Sequence, residues 1–350
     1  MRTIQAAAIT ETVAKLCIQA NTHLPGDIVA ALDAARQSEP WPLARETLGL
    51  LWNNLELAEE KNLPVCQDTG MACVFVELGQ EIHIEGEFEA AIHEGVRQGY
   101  GEGYLRKSIV GDPLRRVNTG DNTPAAITLR LVPGDACKIT VAPKGFGSEN
   151  MSRLGMLKPA DGVEGVKRFV VETVRLAGSN PCPPIVLGIG IGGSFDKAAY
   201  LAKHALLRPI DQPNSDPFYA QLEEELLEEI NALGIGPQGF GGRTTCLGLS
   251  IETAPTHVAG LPVAVNVSCH VTRRAPPSSD RPWRCCHGRA NGSCRRPGPP
   301  GILCGIRAGH TCDPVRLQYP LPRTGIRPSG RCPERMVLRP DPLQIRLWIQ

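Results

Sequence analysis

Apolar residues recur at helical spacing over the first sixty positions. Ile4, Ala7, Ala8, Val13, Leu16 and Cys17 predict a helix over 3–20. A second periodic run predicts a helix over 26–37, and Leu48, Leu51, Leu55 and Leu57 predict a third over 43–61. Pro64 ends this region, and the polar turn Cys66-Gln67-Asp68-Thr69-Gly70 follows. From there strands and helices alternate. Met71 to Leu78 is β-type, 86–104 is helical, and 125–133 and 137–143 are strand-like. Residues 162–177 form an amphipathic helix, and Ile185 to Ile191 is an apolar run suited to a buried strand. Ser194 is placed to cap a helix over 195–207. A helix with an acidic face spans 216–233, and 246–252 and 262–268 are strand-like. Two stretches break the pattern. Residues 105–124 are polar and turn-rich, either a surface excursion or a site wall. Residues 144–160 form a glycine-rich loop with weak periodicity. The whole predicts an α/β (mixed α+β) body, with a helical N-terminal region followed by a mixed sheet flanked by helices.

After Cys269 neither period survives. Residues 271–350 hold fifteen arginines, no lysine, four acidic residues, thirteen prolines and six cysteines, a net charge of +11 against −10 for residues 1–270. The +1 of the whole chain is therefore a cancellation between two unlike segments. Proline-dense, highly charged chain buries too little apolar surface to offset its ordering entropy, so the pattern predicts a body over 1–270 and a disordered tail over 271–350. The acidic body argues against a nucleic-acid partner. No run of ~18 apolar residues is present to span a membrane. Thr10, Glu11 and Thr12 interrupt the apolar patch near the N-terminus, unlike a secretion signal, so a cytoplasmic location is expected. In that reducing setting cysteines are free, metal-bound or reactive.

Three cysteines stand where the backbone turns. Cys66 follows Leu63-Pro64-Val65, Cys182 lies between prolines in Ser179-Asn180-Pro181-Cys182-Pro183-Pro184, and Cys269 ends an apolar run. By spacing they are either buried structural thiols or a three-thiolate iron–sulfur or zinc site assembled from distant segments; no CxxC pair decides it. Gly188 to Gly193 superficially suggests a dinucleotide loop, but the glycines do not fit G-x-G-x-x-G, and tight strand-to-helix packing is the simpler reading. Arg106, Lys107, Arg115 and Arg116 flank an Asn-Thr-Gly-Asp-Asn-Thr-Pro turn. They form either a solvated basic loop or a dicarboxylate-binding one. Lys144 carries the same two readings, and His257 is either a turn histidine or an acid, base or donor.

Six irregular segments together resemble the alpha subunit of class I fumarate hydratase and of the related L(+)-tartrate dehydratase. They are CQDTGMACVFVELGQ, YLRKSIVGDPLRRVNTGDNTPA, ITVAPKGFGSENMSRLGMLKPADGVEGV, NPCPPIVLGIGIGGSFDKAA, IGPQGFGGRTT and PTHVAGLPVAVNVSCH, and the resemblance as a whole extends over roughly residues 3–270. The resemblance implies a hydro-lyase whose 4Fe–4S cluster is held by Cys66, Cys182 and Cys269, with one iron left open as a Lewis acid. Cys17, Cys73, Cys137 and Cys246 match no ligand position. It further implies substrate contacts from Gln67, Arg106, Lys144, Gly145 and Gly147. Asp68 and His257 would orient the dicarboxylate substrate or move protons. In this family the groups on the other face of the substrate come from a beta part, which nothing after residue 270 resembles. A beta subunit is therefore the expected partner.

The family's alpha chain ends a little beyond the third ligand cysteine, whereas Val271-Thr272-Arg273-Arg274 here leads into the proline-rich tail. That tail is read as a native basic arm or as an out-of-frame product; loosely spaced Cys285, Cys286, His287, Cys294, Cys304, His310, Cys312 and Cys332 make a weak metal-binding pattern. Competing functions are a tartrate dehydratase, a non-catalytic iron–sulfur redox sensor, and an inactive frameshifted product.

Overall fold

In a computed structural model the chain is described over residues 2–275. The expectations for 276–350, including the disordered or out-of-frame tail and its Cys/His pattern, lie outside the described residues.

The helical N-terminal region is present. The periodicity over 3–20 is helical only from Ala6, giving α1 (Ala6–Thr22), followed by α2 (Gly26–Ser38) and α3 (Pro42–Lys61). The four residues before α1 form β1 (Arg2–Gln5), which pairs in parallel with β3 (Ile82–Glu85). Both strands are four residues long and alternate between half-buried and exposed. Runs that short carry too few periods to stand out in the sequence.

β2 (Met71–Gly79) is the centre of a three-stranded sheet, parallel to β4 (Ala126–Val132) and antiparallel to β5 (Cys137–Lys144). Its apolar face, with Val74, Val76, Ile139 and Val141, packs against α1 and against α4 (Phe88–Glu102) through Ile9, Val13, Ile92, Val96 and Tyr100.

The second sheet has the order β6-β9-β7-β8. It comprises β6 (Arg153–Leu157), β9 (Leu261–Ser268), β7 (Ile185–Gly192) and β8 (Cys246–Ala254). Every residue of β7 is buried, because both its faces are covered. Ile185, Leu187, Ile189 and Ile191 meet α6 (Gly162–Ala177) and α8 (Pro217–Asn231). Gly188 and Gly190 meet α7 (Phe195–Ala205) on the opposite face. Close packing, not dinucleotide binding, accounts for these glycines: a Cβ on Gly190 would lie 2.2 Å from the Ala198 carbonyl oxygen. Backbone cannot rotate aside as a side chain can. Gly190→Ala is therefore expected to destabilise the fold by about 1–3 kcal/mol, the usual range for overpacking. A urea midpoint equal to wild type would show that the strand–helix spacing relaxes freely.

Three local expectations are corrected. The stretch 144–160 contains α5 (Phe146–Glu149) and the edge strand β6, antiparallel to β9. With one-sided burial over five residues, β6 shows no clear period. Ser194 does precede α7, yet its hydroxyl bonds Asp196 Oδ1 at 2.5 Å and caps no helix N–H. Finally, the chain stays packed past the composition break: Val271, Thr272, Arg273, Arg274 and Ala275 are all buried. Ala275 exchanges backbone hydrogen bonds with Val141, at 2.9 and 3.2 Å. No helix among the described residues is long and apolar enough to cross a membrane.

Candidate functional site

The loop after α3 is fixed by its backbone. The Val65 N–H donates to the Asn21 carbonyl at 2.9 Å, and Asn54 Nδ2 donates to the Val65 carbonyl at 2.9 Å. Further along, the buried Tyr100 hydroxyl donates to the carbonyls of Thr69 and Gly70, at 2.9 and 3.0 Å. Buried Asn122 donates to the Gly70 carbonyl at 3.2 Å. Gly70 has φ +74°, and a Cβ there would lie 2.6 Å from the Lys144 carbonyl carbon, so only glycine lets the loop cross the end of β5. These contacts hold Cys66 and Asp68 just before β2.

Cys182 sits in the turn between α6 and β7 with φ +55°, a left-handed conformation unfavourable for a residue with a Cβ. The turn is over-determined. The Cys182 N–H donates to the Ser179 carbonyl at 3.1 Å, and His270 Nδ1 lies 3.0 Å from the Cys182 carbonyl. Gln238 donates to the Pro183 carbonyl from both its backbone N–H and its side chain, at 2.7 and 2.8 Å. Cys269 follows directly on β9. Because Ser268 pairs with Val186 in antiparallel register, Cys269 emerges at the N-terminal end of β7, the end that carries Cys182.

The three thiols are thereby brought into mutual electrostatic range. Burial pushes the Cys66 thiol up, the Asp68 N–H and the Arg273 guanidinium oppose this, and Cys269 adds to it. Cys182 is exposed at the surface, yet partial screening by its turn raises it too, with Cys269 and then Cys66 raising it further. All seven cysteines of the described residues are free. Cys17 and Cys246 lie in the cores, where burial pushes each thiol up to about 12. Among the described residues, no three His, Cys, Asp or Glu side chains are grouped as for a single metal ion.

Other expected site residues divide into those brought to the cysteines and those held away. Gln67 Oε1 lies 3.3 Å from the Cys66 sulfur. Asp68 accepts from the Gly70 N–H through Oδ1 and from the Phe146 N–H through Oδ2, both at 3.0 Å. That second bond ties the Gly145–Ser148 segment to the cysteine loop. Gly147 faces the Asn180 carbonyl, 3.8 Å from its Cβ position, so the same segment also borders the Cys182 turn. Arg106 is anchored through its carbonyl, which accepts from Thr69 Oγ1 at 3.0 Å, while its side chain is exposed.

Lys144 is buried and turned inward. Its ammonium meets Ser148 Oγ at 2.8 Å and Glu149 at 3.2 Å. Burial lowers its proton affinity, while Glu149 and then Cys269 raise it. Glu149 also pairs with Lys203 and accepts from Asn266 at 2.9 Å. Burial raises its carboxyl, but Lys144 and Lys203 outweigh this and hold it low. Lys144 thus belongs to a structural charge network under the site.

His257 is not brought to the cysteines of its own chain. It is exposed in the loop between β8 and β9, at the C-terminal end of β7. Cys269 lies at the other end of β9, which at ~3.3 Å per residue over its eight residues is about 26 Å away. Within this chain, strand direction places His257 and the cysteines at opposite ends of β9.

The sequence reading missed Arg273 and the role of His270. Arg273 Nη1 donates to Asn21 Oδ1 and Nη2 to the Asp68 carbonyl, each at 2.8 Å. In sequence it was one arginine among fifteen beyond the break. Its position four residues after Cys269 was the available signal.

A model of the family described as fumarate hydratase (Fumerase) matches residues 10–277. A Methanocaldococcus jannaschii protein, provisionally named L(+)-tartrate dehydratase subunit alpha, is 44% identical over 274 residues, covering 76% of this chain and 96% of that protein. The L(+)-tartrate dehydratase subunit alpha of Escherichia coli strain UTI89 is 35% identical over 270 residues, covering 76% of this chain and 89% of the relative. That of E. coli K12 is 34% identical over the same length.

Proposed function

The chain belongs to the fumarate hydratase (Fumerase) family of hydro-lyases, and from that membership we propose that it is the alpha component of an iron–sulfur enzyme interconverting fumarate and malate, in the cytoplasm and with a beta partner. The observation that carries this reading is the convergence of Cys66, Cys182 and Cys269, from three distant segments, on one end of the second sheet.

The donor set suits a 4Fe–4S cluster. Three free thiols lie within electrostatic range of one another, and positive charge from Arg273 and Lys144 acts on Cys66 and Cys269. Cys66, Cys182 and Cys269 would hold such a cluster through their three thiolates. When bound by three cysteines, such a cluster offers an open iron as a Lewis acid towards a hydroxyl or carboxylate oxygen.

This chain's own residues supply orientation. Arg106, anchored by its carbonyl beside Thr69 and free at its guanidinium, binds one substrate carboxylate in a fork. Gln67 presents its amide next to Cys66. Asp68, pinned by two backbone N–H groups, orients the site and does not swing as a free proton carrier. Gly145 and Gly147 keep side chains out of the space between the Cys66 loop and the Cys182 turn. Lys144 positions this segment from below. The group that removes the C3 proton is assigned to the beta partner, in keeping with relatives named as alpha subunits.

The names of those relatives favour a second reading, L(+)-tartrate as substrate. Anaerobic co-expression with the beta partner and assays with fumarate, malate and L(+)-tartrate separate the two. Fumarate and malate are expected to exceed tartrate in kcat/KM by at least ~10-fold, within reach of pocket discrimination. The reverse ranking makes the protein a tartrate dehydratase. A loaded cluster whose absorbance ignores all three acids favours the sensor.

A further inference from the structure

Arg273 and Arg274 are adjacent, buried and differently satisfied. Arg274 forms an ion pair with Asp27, itself buried. Arg273 is 4% exposed, and among the described residues no carboxylate is in ion-pair contact with it. Its hydrogen bonds go to neutral groups, Asn21 Oδ1 and the Asp68 carbonyl, and its Nε is buried with no partner. A buried guanidinium without a counter-charge is strongly unfavourable. A charge retained in such a place therefore points to negative charge close by.

Negative charge on that side comes from the Asp68 carboxylate, whose Oδ2 lies 3.0 Å from the Gly145 Cβ position that Arg273 Nη2 borders at 3.7 Å, and from the cysteine set. Arg273 belongs to the Cys269 segment and reaches the Cys66 loop. It ties the two mechanically. It lies four residues past Cys269, and its Nη2 holds the carbonyl of Asp68, two residues after Cys66. A Cβ on Gly145 would stand 3.7 Å from the same Nη2, so the guanidinium also borders the Gly145–Ser148 segment.

We propose that Arg273 is a positioning residue for the three-cysteine site, clamping the segment after Cys269 to the loop after Cys66 and supplying the buried positive charge that balances an anionic, thiolate-held cluster. The inference rests on the iron–sulfur reading above. It adds a residue from beyond the last cysteine that touches neither substrate nor iron. Because the clamp joins first and third ligands, its loss loosens the set as a whole and spares the individual thiols.

The test uses the full chain with its beta partner, reconstituted anaerobically as wild type, Arg273→Gln and Arg273→Lys. Readouts are iron and sulfide per chain, the rate of cluster loss to a chelator, the cluster's reduction potential, and melting of the cluster-free protein. Arg273→Gln is expected to lose its cluster about 10-fold faster than wild type, the lower end of the effect of supporting residues on metal retention. Its potential is expected to shift negative, because a nearby positive charge is gone. Arg273→Lys keeps the charge without the fork, so it restores the potential but only part of the retention. A purely structural role would lower melting in both variants and leave the potential unmoved, which overturns the proposal. Wild-type retention and potential in Arg273→Gln overturn it also. Should Arg273→Gln not fold, Arg273→Lys decides: faster cluster loss at wild-type potential supports the clamp, and an unchanged rate overturns it. A wild-type chain that takes up no iron and sulfide overturns the iron–sulfur reading, and the inference with it.

Discussion

Cys182→Ala is expected to leave the apo-protein folded and to reduce cluster retention, and with it hydratase activity, by more than about 100-fold, the upper limit for losing a mere supporting residue. Cys182 is exposed, and its turn is held by backbone and by Gln238 and His270, none of which needs the sulfur. Alanine also carries a Cβ, so the left-handed backbone is no more strained than before. Apo stability is therefore expected to move by no more than ~0.5 kcal/mol, as at other surface positions. Cys246→Ala gives the opposite signature. That thiol is buried in the core beside β7, with its sulfur 3.3 Å from the Gly248 carbonyl. Its removal is expected to reduce stability by about 1–3 kcal/mol through lost packing and a lost hydrogen bond while leaving iron content intact. Iron and sulfide analysis beside urea denaturation separates the pair. Normal loading of Cys182→Ala would remove Cys182 from the ligand set.

The second large effect concerns the last described residues. Arg274→Ala leaves Asp27 buried without its cation, held only by the Ile210 N–H at 2.9 Å. Breaking a buried pair on one side is expected to destabilise the fold by about 3–5 kcal/mol. Arg274→Lys retains the charge and is expected to recover part of that. The pair joins the start of α2 to the segment after Cys269, so it also tests where the body ends. A loss below ~1 kcal/mol, typical of an exposed pair, would mean that Val271–Ala275 is not an integral part of the fold.

Much of the architecture was legible because burial leaves a period in the sequence. The long helices α1, α3 and α6 and the central strands β2, β7 and β9 bury continuous faces, and each stood out. β1, β3 and β6 were missed because each is short and only partly buried. The glycines of β7 looked like a nucleotide motif, yet their meaning lay in α7, which the local sequence does not display. The cysteines were recognisable as a set only through the long irregular motifs around them, since more than two hundred positions separate Cys66 from Cys269.

By itself the sequence determined which segments become helix or strand, and it offered three thiols, an exposed basic loop and a family's motifs. Only the tertiary structure decided which of them meet. Antiparallel pairing of β7 and β9 puts Cys269 beside Cys182 and carries His257 to the opposite end of the sheet. The same packing draws Arg273 under the Cys66 loop and Arg274 onto Asp27, although composition assigned both to the tail. The reason is physical. Side-chain periodicity records only whether a position is buried, whereas the partner it is buried against is set by strand register and by the long-range close approaches that Gly70 and Gly190 permit.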